Sequence, residues 1–210
     1  VKLLKYLGLA CGALLLAQLI VRVYLFFRPR ITPALVRPVL DSRWRKRYRD
    51  PAGTLAPLCL HAGEIALEIG GGTGVFTCAA ARQVGATGRL LSIELQRPMI
   101  RSLIRRIQQC GASNVAVQQA DARQLPFRDE SIDAAFLIAV LPMIPDRVGA
   151  LRETRRVLKP DGRLLISEEV IAPEYVPPRI TISWARRAGF VPVATTRGRW
   201  AYAVVFKRPA

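Results

Sequence analysis

Residues 6–21 carry no charge and only Gln18 as a strongly polar side chain, and after Arg22 the apolar run resumes from Val23 to Phe27. As a helix, Tyr6 to Phe27 reaches roughly 33 Å at about 1.5 Å per residue, the length of a membrane span. Beyond residue 50 the pattern changes to short apolar runs separated by helical stretches. Strands are expected at 65–67, 90–94, 115–122, 132–139 and 163–168, with helices over 75–84, 150–158 and 179–188 between them. The runs 190–196 and 202–206 lie close enough for a closing hairpin. This alternation predicts one α/β domain over 51–210, preceded by a hydrophobic helix over 1–27 and a basic linker over 28–50. Within that linker, 29–38 is punctuated by proline and 39–49 suits a short amphipathic helix lying on a membrane surface.

Charge sharpens the N-terminal reading. The chain is +17 overall, with 11 basic and 2 acidic residues among the first 50. Arg28, Arg30, Arg37, Arg43, Arg45, Lys46, Arg47 and Arg49 follow the apolar helix directly. Basic residues on that side predict a single N-terminal membrane anchor with the catalytic domain on the cytoplasmic side, attracted to anionic lipid. Arg22 near the end of the apolar run suits snorkelling, and the anchor is expected either to span the bilayer or to lie partly in one leaflet. No small-residue cleavage site follows, which disfavours a signal peptide. No nucleic-acid recognition module accompanies the basic charge, so that partner class is disfavoured. Cys11, Cys59, Cys78 and Cys110 lack metal or framework spacing and read as unpaired small apolar residues of a reducing compartment. With His61 the single histidine, no metal site is expected.

The chemistry is concentrated at Glu68-Ile69-Gly70-Gly71-Gly72-Thr73-Gly74, a glycine turn between the first strand and the first helix of the domain. Such a turn lets a ligand approach the backbone beside the unpaired N–H groups of a helix start. The spacing is G-x-G-x-G, because Val75 stands where a dinucleotide fingerprint places its last glycine. The second strand ends in Glu94-Leu95, the third in Asp121-Ala122, the fourth in Ala139, and Arg155 to Gly162 closes the later helix.

In this order the motifs resemble the class I S-adenosylmethionine-dependent methyltransferases over roughly residues 50–210. The resemblance implies a Rossmann-like, doubly wound seven-stranded sheet in the order 3-2-1-4-5-7-6, its last strand antiparallel. It implies S-adenosylmethionine as cofactor, held by Glu68, Gly70, Gly71, Gly72, Thr73, Gly74, Glu94, Leu95, Asp121, Ala122 and Ala139. Glu68 would hold the ammonium group directly or through water, Glu94 the ribose hydroxyls and Asp121 the adenine amino group.

The acceptor is less sharply marked. The fourth strand leads into Ala139-Val140-Leu141-Pro142-Met143, without the Asn/Asp-Pro-Pro-Tyr/Phe signature of amide or adenine methylation. Leu141, Pro142 and Met143 suit an apolar pocket wall, and Glu168, Glu169 and Tyr175 leave the fifth strand where open α/β sheets bind substrates. With a membrane anchor in place, the expected acceptor is lipophilic. A phospholipid amine head group facing Glu168 or Glu169 comes first, then an isoprenoid quinone or a hydrophobic thiol. A membrane-tethered protein methyltransferase and a non-catalytic cofactor-binding scaffold are the readings from other classes.

Overall fold

The computed structural model describes residues 2–31, 38 and 41–210. Helix α1 (Lys2–Phe27) is followed by α2 (Arg43–Tyr48) and α3 (Pro51–Leu55). The domain then alternates β1 (Ile65–Ile69), α4 (Thr77–Val84), β2 (Arg89–Glu94), α5 (Arg97–Cys110), β3 (Val115–Gln119) and β4 (Ile132–Ile138). It closes with α6 (Arg147–Val157), β5 (Leu158–Glu169), α7 (Pro178–Arg187), β6 (Val191–Arg197) and β7 (Ala201–Lys207). Of the expected linker, 32–37 lie outside the described residues, as do 39 and 40 at the start of the expected surface helix. Within the described part of that stretch, α2 begins at Arg43, where the Ser42 hydroxyl caps the N–H of Arg45 at 3.2 Å.

The sheet order is β3-β2-β1-β4-β5-β7-β6. Strands β1 to β5 pair in parallel and β7 runs antiparallel to both β5 and β6. Near-continuous apolar runs make these strands, because both faces are covered. Leu67, Ile69, Ala135, Leu137, Leu164 and Ile166 face a core shared with α6 and α7. The alternate positions Ala66, Ala134, Phe136 and Leu165 face a second core closed by Leu55, Leu58 and the small residues of α4. Central β1 and β4 consequently end together at one edge, with Gly70 and Ala139 just beyond them.

Two expectations are corrected. Among the described residues, no helix is long and apolar enough to cross a membrane. This overturns the expected membrane-spanning anchor and the placement of the domain at the cytoplasmic face of a membrane; the bilayer as a partner is not shown. The end of α1 instead has protein partners. Arg22 donates to the carbonyl of Val170 and lies over the Tyr175 ring, Phe26 stacks on Trp184 at 5.9 Å, and Arg147 donates to the Phe26 carbonyl at 3.0 Å. From the basic flank, Arg45 and Arg49 are buried in the domain, while Arg28, Arg30 and Arg47 are exposed.

The second correction concerns cysteine. Cys78 on α4 and Cys110 at the end of α5 form a disulfide, their Cα atoms 6.4 Å apart, while Cys59 is free and exposed. Two helices packed side by side bring together cysteines that sequence spacing leaves unrelated.

Candidate active site

A cavity of about 720 Å3 opens beyond the carboxyl ends of β1, β2, β4 and β5, where open α/β sheets bind their ligands. Its floor is the β1–α4 turn. Gly70 has a φ of +78°, and a Cβ built there would stand 2.5 Å from a methyl of Val140. A Cβ on Gly71 would run into the Ser92 hydroxyl. Only glycine satisfies both the backbone and the space at Gly70. Gly70, Gly71, Gly72 and Thr73 line the cavity, whereas Gly74, at φ +81°, instead faces Leu103 and Arg106 on α5.

Glu94 spans this floor. One carboxylate oxygen accepts from the Gly72 N–H and the other from the Gln96 N–H, each at 2.9 Å. The side chain is held by two backbone donors at the cavity wall, where its remaining lone pairs suit a pair of hydroxyls. Leu95, Ala122 and Ala139 line the same space. So does Asp121, which carries a fork from Arg123 with contacts of 2.7 and 3.1 Å that holds its carboxyl below the usual range. An amino group reaching Asp121 would share it with Arg123.

Glu68 lies elsewhere. It is buried beneath the turn, accepting from Thr77 Oγ1 at 2.5 Å and Ser92 Oγ at 2.6 Å, and is not among the residues lining the cavity. Burial pushes its carboxyl up to about 7, against the pull of those two hydroxyls. In this geometry Glu68 ties the glycine turn to β2 and α4.

At the acceptor end, Pro142 and Met143 line the cavity, while Leu141 is fully buried behind them. Tyr175 is turned away, packing edge-on to Tyr202 at 6.0 Å and under the Arg22 guanidinium. Glu168 and Glu169 both line the cavity but differ in state. Glu169 is gripped by Arg45, whose Nε lies 3.1 Å away, by Arg49 at 3.4 Å and by the Tyr48 hydroxyl at 3.1 Å. Hydrogen bonds and charge from Arg45 lead the forces that outweigh burial and keep its carboxyl low. Burial pushes Glu168 well above the usual carboxylate range, and its Oε1 has no hydrogen-bond partner among the described residues.

Several residues of this wall are not apparent as site residues from sequence. Trp44, Arg45 and Tyr48 of α2 line the cavity, as do Val21 and Leu25 of α1. Asp41 accepts from Thr73 Oγ1 at 2.9 Å and from Arg106 at 2.5 Å, so the segment before α2 clasps the glycine turn. The one available signal is the four-residue spacing of Arg45 and Arg49, which puts both on one face of a helix. Within a run of basic residues that signal reads as ordinary surface charge.

The glycine turn, with Glu94 and Asp121 as strand-end acceptors lining the cavity, suits an amino-acid-bearing nucleoside. Residues 67–166 match the protein family described as "Methyltransferase domain". That stretch is similar to methyltransferase domains. The chain is 33% identical over 129 residues to the demethylmenaquinone methyltransferase of Lactobacillus johnsonii, covering 61% of this chain and 50% of that protein. It is 37% identical over 126 residues to the ubiquinone/menaquinone biosynthesis C-methyltransferase UbiE of Klebsiella pneumoniae, covering 60% and 48%. The chain thus spans about half the length of the curated relatives it matches. Among solved structures, an S-adenosylmethionine-dependent methyltransferase from Aquifex aeolicus superposes with a TM-score of 0.80 at 21% identity, over 85% of this chain and 100% of that one. The [4+2]-cyclase SpnF superposes with a TM-score of 0.70 at 19% identity, over 87% and 86%. A cyclase on the same fold shows that architecture alone does not choose the reaction.

Proposed function

We propose that the protein transfers a methyl group from S-adenosylmethionine to a lipophilic small molecule bearing a hydroxylated ring, of the quinone-precursor class. The observation that carries this reading is one continuous cavity that joins the glycine turn and Glu94 to an apolar wall. Val21, Leu25, Trp44, Pro142, Met143 and Ile171 belong to that wall. Apolar pockets of this volume with a few placed polar groups are the usual form of small-molecule sites. The two relatives above are both named for methylation in quinone biosynthesis.

The cofactor supplies an electrophilic methyl group on a sulfonium centre. What the chain contributes is position and dryness. The glycine turn leaves room for the amino-acid portion, Glu94 fits the ribose hydroxyls, and Asp121 stands at the adenine end. Phe76, Ile138 and Val140 line the same cavity, and apolar side chains there would exclude water from the reacting groups. Holding donor and acceptor together supplies much of the acceleration such a displacement needs.

A phospholipid amine is disfavoured by the same wall. Glu169 already has two guanidinium partners, and Glu168 favours its neutral form beside Arg49. Neither presents an available carboxylate to an ammonium group. Incubating the purified chain with methyl-labelled S-adenosylmethionine and a total membrane-lipid extract, then separating quinones, phospholipids and protein, tests the reading. Label is expected in the quinone fraction, and label confined to phospholipid or protein would overturn it.

A further inference from the structure

Glu168 stands at the carboxyl end of β5 and lines the cavity, yet its side chain is almost fully buried. One of its carboxyl oxygens accepts from the Leu141 N–H, while Oε1 has no hydrogen-bond partner among the described residues. A buried polar atom without a partner is destabilising, and an acid in that condition beside a ligand cavity is a functional candidate. Its neighbour Glu169 is saturated by Arg45, Tyr48 and Arg49, so the two adjacent acids divide into one that closes the wall and one that is left open.

We infer that Glu168 determines acceptor specificity by holding a hydroxyl group of the acceptor ring inside the apolar part of the cavity. The inference deepens the lipophilic-acceptor reading and rests on it.

The surroundings decide the ligand chemistry. Arg49, Glu169 and Glu174 act on Glu168 through charge, and Tyr202 on β7 feels it in turn. An ammonium group entering here would meet the positive charge of Arg49. A carboxylate or phosphate would meet Glu169 and Glu174. A neutral hydroxyl meets no such opposition, because a protonated carboxyl both donates and accepts. Pro142, Ile171 and Ala172 line the cavity beside it and offer a ring apolar contact.

The probes are 1-naphthol and naphthalene, which share a ring system and differ by one hydroxyl. Their affinities are measured with S-adenosylhomocysteine present, on the full chain and on Glu168→Leu. The intact chain is expected to prefer 1-naphthol about tenfold, the usual worth of one buried hydrogen bond, and Glu168→Leu to lose that preference. Equal affinities in the intact chain, or an unchanged preference in Glu168→Leu, would overturn the inference. Should that variant not fold, infrared difference spectra of the intact chain decide. A shift of the protonated carboxyl band with 1-naphthol but not naphthalene is expected, and no shift overturns the assignment. Failure of both compounds to bind would overturn this inference together with the lipophilic-acceptor reading. A Glu168-dependent hydroxyl preference without methyl transfer to a reduced demethylmenaquinone would overturn the proposed reaction and leave the role of Glu168 standing.

Discussion

Arg45 of α2 and Glu169 at the end of β5 form a buried ion pair across 124 residues of sequence, with Arg45 Nε 3.1 Å from the carboxylate. The pair fixes an N-terminal helix to the strand end that shapes the acceptor side of the cavity. Removing one partner of a buried pair strands the other, which is costlier than removing both.

Arg45→Met is therefore expected to destabilise the chain by about 3 kcal/mol, with Arg49 and Tyr48 limiting the damage to Glu169. The double variant Arg45→Met with Glu169→Met should recover part of that loss. Urea unfolding checks both. A single-variant loss under about 1 kcal/mol would put the pair in the class of exposed ion pairs.

Two buried carboxyls oppose each other in pH dependence. Burial raises Glu68 from an ordinary 4.5 to about 7, so its contribution is fully present below pH 4.5 and is lost as pH rises through 7. That loss is roughly 3 kcal/mol by proton linkage. Glu169, held low by Arg45, contributes above its ordinary value and loses that contribution as pH falls through its lowered folded value. Glu68→Gln should flatten the decline of stability between pH 4.5 and 7. Denaturant midpoints across that range test the sign, and an unchanged slope would show that Glu68 does not titrate there.

Cofactor affinity is expected to depend on Glu94. Glu94→Ala removes the acceptor of the Gly72 and Gln96 N–H groups as well as the partner proposed for the ribose hydroxyls. Charged hydrogen bonds are worth about 1.5–3 kcal/mol, so calorimetric titration with S-adenosylhomocysteine should show at least about a tenfold loss. Unchanged affinity would remove Glu94 from the site.

The glycine turn yields a comparison between two positions of positive φ. Gly70→Ala drives a methyl into Val140, whereas Gly72→Ala, at φ +54°, meets only the Gly70 carbonyl oxygen at 4.0 Å. Both carry the left-handed penalty of about 1–2 kcal/mol. Gly70→Ala should lower the melting temperature further and abolish S-adenosylhomocysteine binding, while Gly72→Ala keeps measurable binding. Equal effects would mean that backbone strain, not the approach to Val140, governs the turn.

The sheet was legible because its signals are local: apolar runs of strand length, the glycine turn after β1, and acids at strand ends. Boundaries shifted where tertiary pairing took over, as in β5, which begins at Leu158 and includes the Lys159 to Gly162 stretch expected only to end a helix. Glu94 and Asp121 could be placed on the cavity from position alone. Glu68 could not, since its strand-end position does not reveal that Ser92 and Thr77 draw it under the turn. The N-terminus was misread for a similar reason. An apolar helix followed by arginines carries the same local signal whether its partners are lipids or Trp184, Tyr175 and Glu169, and only the long-range contacts separate the two. The Cys78–Cys110 pairing likewise depends on two helices meeting and leaves no trace in spacing.

The most direct test of the account is methyl transfer to reduced demethylmenaquinone bearing a short prenyl tail. The purified chain is supplied with S-adenosylmethionine and the product read by mass spectrometry. The account predicts a ring-methylated product, formed in step with S-adenosylhomocysteine and reduced sharply in Glu94→Ala. S-adenosylmethionine that binds with wild-type dependence on Glu94 but yields no methylated ring would contradict it.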